Sequence, residues 1–319
     1  MAVSNNGAPQ GRVGRIFFGV EGLRAGWSLA IYYLLAAAAV VAYALFAPQN
    51  DAAGAETATS TILSVGPTAV ALVLLALTMT LIEGRSFADY GLRRTHAAAD
   101  FALGLLCGLV MLFLLVGVLW SMGGLVFGPA TAPGVVGTGA AWLFAFLLLG
   151  FVEEFWFRGF FQLTLARGLT GLLRWLRPGL VQARAVGFWL AATVFSGLFF
   201  VLAHVGNKGE TPLGIVSVAL AGFVFAFGLY RSGALWWPIG FHVAWDWGET
   251  FVFGANNSGY IARDHLFTAR PQGPVLLSGG SAGPEGSILI VPVLLLTALL
   301  IHRLYRRRTS LGAGAPSRN

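Results

Sequence analysis

Residues 139–161 read GAAWLFAFLLLGFVEEFWFRGFF. The stretch is long enough to cross a bilayer, because about twenty apolar residues make a membrane helix. Yet its second half carries Glu153, Glu154 and Arg158. An ionisable group in hydrocarbon costs roughly 2.5–3.5 kcal/mol on insertion scales, so such groups persist where they face a cavity, pair with one another or perform chemistry. Glu154 and Arg158 are i and i+4, share a helix face and can form an ion pair. Glu153 is turned about 100° from Glu154. It has no partner within the stretch, which leaves its carboxylate free for proton transfer.

The rest of the chain sets that stretch in a membrane. Of 319 residues, 57% are hydrophobic and only 10% charged, against about 25% charged in a soluble domain. Eight apolar spans are predicted, at roughly 27–47, 61–83, 100–122, 139–161, 186–206, 212–230, 235–253 and 286–304. The expected fold is therefore all-α, a polytopic transmembrane bundle with both termini cytoplasmic. If the loops alternate sides from a cytoplasmic N-terminus, every Arg and Lys falls on the cytoplasmic side except Lys208, Arg263 and Arg270. Basic residues concentrate in cytoplasmic loops, so that split supports both the spans and the orientation. The net charge of +7 then records loop arginines rather than a nucleic-acid partner. Cys107 is the only cysteine, so no disulfide forms within the chain.

Outside the spans, residues 1–12 and the tail LGAGAPSRN (311–319) read as disordered. LTGLLRWLRPGL (169–180) alternates arginine with Leu and Trp, as an interfacial helix does. The Gly-rich stretch from Gly254 to Gly283 is long enough for a lid or for disorder. GLLCG (104–108) has the small-xxx-small form that lets membrane helices approach closely, a common pattern of little specificity.

Two further spans carry polar groups. Span five ends FFVLAHVGN, with Phe200 and His204 one turn apart; span seven contains GFHVAWDWGE, with His242 and Asp246 at i and i+4. That spacing lets the Asp hold the imidazole or lets both face one cavity. Each feature alone reads as well as interhelical glue or an interfacial histidine. Three on separate helices are harder to explain that way, because each carries its own desolvation cost. Ser196 in VFSGLFF lacks the context of a serine nucleophile, and no second Asp accompanies Asp246 inside a span.

EExxxR, FxxxH and HxxxN/D on successive helices are the motifs of the CPBP family, the CAAX-processing and bacteriocin-processing intramembrane proteases. EEFWFR (153–158), FVLAH (200–204) and HVAWD (242–246) resemble them over about residues 140–252. The resemblance implies that Glu153 activates water as a general base with help from His204, and that His242 and Asp246 stabilise the oxyanion. Glu154, Arg158 and Phe200 would support them. The family often has Asn where this chain has Asp246, and an ionised Asp cannot donate to an oxyanion. Asp246 would then carry a proton or orient His242. Should a metal take part, Glu153, His204, His242 and Asp246 would be a zinc set, three protein ligands plus water being the usual catalytic arrangement. HExxH is absent, and a metal-free glutamate mechanism stays open beside it.

On this reading the chain divides into a cytoplasmic segment (1–26), N-terminal helices (27–130) and a CPBP-like core (139–253). An extracytoplasmic loop (254–284), a last helix (285–305) and a basic tail (306–319) follow. The expected function is intramembrane endopeptidase action on a peptide or protein substrate, CAAX-type or leader-peptide processing, in a bacterial cell membrane with lipid as surroundings. The alternative is a non-catalytic transporter, immunity or scaffold protein with a structural polar network. One conflict is built in. At 1.5 Å per residue, Glu153 and His242 lie roughly 10–12 Å inside the cytoplasmic edge, whereas His204 lies about 3 Å from the far edge. Convergence then requires span five to start later or to tilt.

Overall fold

The structure, a computed structural model, describes residues 14–19, 22–46, 56–129, 131–132, 134–207, 209–308 and 311. The expected disorder of residues 1–12 and of the tail after Leu311 lies outside these residues. Eight principal helices make an all-α bundle: α1 (Ala25–Phe46), α2 (Ala58–Glu83), α3 (Ala97–Ser121), α4 (Val135–Leu176), α5 (Ala183–His204), α6 (Pro212–Ser232), α7 (Trp236–Trp247, continued by π turns Gly248–Val252) and α8 (Ile290–Leu304). Among the described residues five of them, α2 to α6, are long and apolar enough to cross a membrane. The protein is thus a multi-pass membrane protein. Its outward leucines and valines, such as Leu74 and Leu81 on α2, are exposed, as lipid-facing positions are.

Local chemistry sets the ends. Thr57 and Ser60 form a reciprocal capping box at the start of α2, and Thr211 caps α6 ahead of Pro212, satisfying amides that a helix start leaves open. The segment 169–180 is not a separate interfacial helix. α4 runs unbroken for 42 residues to Leu176, about 63 Å of helix at the standard rise against a hydrocarbon core near 30 Å. Pro178 follows within two residues and stops it, since proline cannot continue a helix.

GLLCG sits at a close helix crossing. A Cβ on Gly104 would collide with the backbone of Trp237 and Phe241, and one on Gly108 would collide with Phe241 O. Gly240 faces Phe101 O across the same contact. Small residues let α3 and α7 meet backbone to backbone, which fixes the helix that carries His242 and Asp246.

The Gly-rich stretch after α7 is folded. Strand β1 (Leu125–Gly128) pairs antiparallel with β2 (Thr268–Pro271), Leu125 opposite Pro271 and Gly128 opposite Thr268. Gly254, Gly279 and Gly283 take positive φ there, a conformation open to glycine at no steric cost. At the opposite end of the bundle, Asp100 on α3 accepts from Tyr305 Oη at 3.0 Å and from Arg308 Nη1 at 2.8 Å, tying the end of α8 to the start of α3.

Candidate active site

At Glu154 the winding of α4 widens into π turns that last to Gln162; such turns are rare and concentrate at functional sites. Glu154 and Arg158 are fully buried, and Arg158 Nη1 donates to Glu154 Oε1 at 2.6 Å. Arg158 Nε and Nη2 find no hydrogen-bond acceptor. The guanidinium instead lies 4.3 Å from the ring centre of Phe200 and 5.0 Å from that of Phe225, where aromatic faces attract a desolvated cation. Phe200 of the second motif therefore holds the arginine of the first.

α7 brings His242 to the same carboxylate. Its Nδ1 is 2.9 Å from Glu154 Oε1, and its ring stacks on Phe225 at 5.3 Å. A carboxylate accepts, so Nδ1 carries a proton. The other nitrogen, Nε2, lies 3.5 Å from Asp246 Oδ2 and 3.8 Å from Glu153 Oε2. Two carboxylate oxygens around one ring nitrogen require a proton there or on one of the acids. Glu153 differs from its neighbour. Its side chain is 22% exposed, and Oε2 has no hydrogen-bond partner. The motif thus holds one acid committed twice and one acid with a free acceptor.

His204 reaches the centre by another route. Its Nδ1 is 2.7 Å from Phe200 O; a carbonyl only accepts, so Nδ1–H donates and the neutral ring keeps Nε2 as an acceptor. His204 lines a cavity of about 60 Å³ with Phe225, His242, Asp246, Ser258 and Glu285, room for roughly two waters. Glu153 is not on that wall and meets it through His242. α5 begins at Ala183, so span five does not start later than expected, and its short π-helical stretch Thr193–Phe199 changes the length only slightly; His204 nonetheless lines one cavity with His242 and Asp246.

The zinc set does not form. Among the described residues no group of three or more His, Cys, Asp or Glu side chains is placed to hold a metal ion. The donors are divided: His242 turns Nδ1 to Glu154 and Nε2 between Glu153 and Asp246, while His204 ties Nδ1 to its own helix.

Four participants escaped the sequence reading. Phe225 had no signal among so many phenylalanines. Glu249 did, as a carboxylate four residues after Trp245; it is fully buried and accepts from Trp245 Nε1 at 3.1 Å. Ser258 comes from the loop and Glu285, expected in the last helix, from a short turn before α8 (Pro284–Gly286), where its Oε1 accepts from Ser258 N at 2.7 Å and Ser258 Oγ at 2.8 Å. Desolvation pushes the Glu285 carboxyl up to about 7, against the opposing pull of Ser258 and with help from Glu210 and Asp246. Ser196 donates to Gln162 Oε1 at 2.7 Å in the core, a structural hydrogen bond.

A multi-pass helical membrane protein with a buried acid–histidine centre on its fourth and seventh helices is thus defined by the geometry. Residues 135–248, about a third of the chain, match the family described as type II CAAX prenyl endopeptidase Rce1-like. That match supports, at family level, the resemblance carried by the three motifs. No curated protein and no solved structure matches the chain.

Proposed function

We propose that the protein is an intramembrane endopeptidase in which Glu153 activates the attacking water. The observation that carries the reading is His242 Nε2, set between Glu153 Oε2 at 3.8 Å and Asp246 Oδ2 at 3.5 Å while Glu154 anchors Nδ1. Glu153 takes a proton as the water oxygen bonds to the scissile carbonyl carbon. His242, protonated on both nitrogens between its carboxylates, donates from Nε2 to the oxyanion. Asp246 orients that ring. The proton on Glu153 then passes to the leaving amine as the C–N bond breaks. His204, with Nε2 an acceptor, holds the water or relays the proton. Glu154, Arg158 and Phe200 are positioning residues.

The substrate class is a peptide or protein segment presented at the membrane, as in CAAX-type or leader-peptide processing. All eight helices span in this reading, with the arginine-rich end and both termini cytoplasmic, in a bacterial cell membrane. The test is a proteomic comparison of membranes from cells carrying the wild type or Glu153→Gln. A cleaved set of peptides that vanishes in the variant, at equal protein level, supports the protease. Identical peptide sets with an unchanged fold remove it in favour of a structural network.

A further inference from the structure

The larger cavity lies away from the acid–histidine centre, at the arginine-rich end of the bundle. It holds about 220 Å³, and its wall includes Arg85, Arg93, Arg167, Arg174 and Arg184 against a single acid, Asp89. Asp89 is already engaged, accepting from Ser86 N and Oγ at 3.0 Å. Arg85 and Arg167 pair with Glu83 at 3.1 and 3.0 Å. Arg93, Arg174 and Arg184 form no ion pair among the described residues, and they come from three elements: the α2–α3 connection, the end of α4 and the start of α5. Like charges gathered so repel one another unless an anion joins them. Thr170 shares that wall, but its Oγ1 already donates to Ala166 O at 2.7 Å, so recognition of a ligand there falls to the arginines.

The surroundings say where that ligand comes from. Next to Arg174 on α4, Leu172, Trp175 and Leu176 are 48%, 76% and 59% exposed, an apolar face with a tryptophan as found at the membrane interface. Arginine recognises phosphate through its planar fork of donors, and basic pockets between membrane helices take lipid head groups. We propose that this cavity binds a phosphate-bearing anion, the head group of an anionic phospholipid whose acyl chains lie along the exposed end of α4. A free phosphate shares the chemistry, and the experiment separates the two.

The full chain is purified, and native mass spectrometry follows retention of dioleoylphosphatidylglycerol against dioleoylphosphatidylcholine, with inorganic phosphate as competitor. The expected result is at least a tenfold preference for phosphatidylglycerol that falls with salt. In the Arg93→Gln, Arg174→Gln, Arg184→Gln triple variant it disappears, whereas Arg263→Gln with Arg270→Gln in the loop keeps it. Lipid that resists millimolar phosphate assigns the site to the head group; displacement by phosphate assigns it to the free anion. Equal retention of both lipids by the wild type, with no binding of phosphate, overturns the proposal, as does a triple variant that keeps the preference. If the triple variant does not fold, Arg174→Gln alone is read the same way, with a threefold or larger loss expected.

Discussion

Two groups of buried acids, one in the first motif and one at the loop side, meet the cost of desolvation differently. In the motif group, Glu154 is neutralised by Arg158 at 2.6 Å and tied to His242 at 2.9 Å. In the loop-side group, Glu249 and Glu285 have no cationic partner among the described ion pairs and rely on Trp245 and Ser258 as donors. A buried pair can hold charge in place, but losing one partner strands the other. A carboxyl held only by neutral donors can take up a proton instead. The first arrangement suits a fixed electrostatic scaffold, and the second suits a part of the molecule whose charge follows pH.

The sharpest break in that comparison falls within the motif, between adjacent glutamates. Glu153→Gln removes the base and leaves the Glu154–Arg158 pair intact. Cleavage of the substrate found by the proteomic comparison should fall about 10²–10⁴-fold, the range for loss of a general base, with the unfolding midpoint unchanged. An equally stable variant that still cleaves ends the assignment of Glu153. Arg158→Ala should act on the fold instead. It strands Glu154 in a fully buried site, and breaking such a pair costs about 3–5 kcal/mol. Thermal unfolding of the purified variant measures this; a midpoint like that of the wild type would show that His242 alone suffices to hold Glu154.

What could be read beforehand follows from the range of each interaction. The Glu154–Arg158 and His242–Asp246 spacings are local, set by helix geometry, and stand in the sequence. That Glu154 also takes His242, and that Phe200 and Phe225 sandwich Arg158, depends on four helices meeting, and no spacing encodes it. The π turns in α4, α5 and α7 have no composition of their own, so nothing in the sequence marks them. Span ends drifted for a related reason. α4 continues past the apolar run because nothing before Pro178 stops a helix, and arginines at 167 and 174 are as helix-compatible as leucine. The Gly-rich loop offered no periodicity, yet β2 and Ser258 lie in it, and Glu285, expected in the last helix, sits in a short turn before that helix.

The contact of α3 with α7 tests whether the scaffold reaches beyond the matched segment. Gly108→Val drives a side chain into Phe241 O and Ala244 Cβ, an overpacking that costs about 1–3 kcal/mol. His242 lies one residue along. The variant should therefore lower both the unfolding midpoint and the cleavage rate. Full activity at a lowered midpoint would mean that α7 holds its site residues without α3.

The loop-side group supplies a test by pH alone. The Glu285 carboxyl, raised to about 7, has an unfolded value near 4.3. Between those values the folded protein binds more protons than the unfolded chain, so stability is greatest below the window and is lost as pH rises through it. Glu285→Gln keeps an oxygen to accept from Ser258 and removes the titration. From pH 5 to 8 the wild-type unfolding midpoint should fall by about 4 °C relative to the variant, because the raised carboxyl contributes about 2.5 kcal/mol across that range and each kcal/mol moves the midpoint of a chain this long by about 1.5 °C. Parallel curves would mean that Glu285 does not titrate across this range and is as fixed in charge as the Glu154–Arg158 pair.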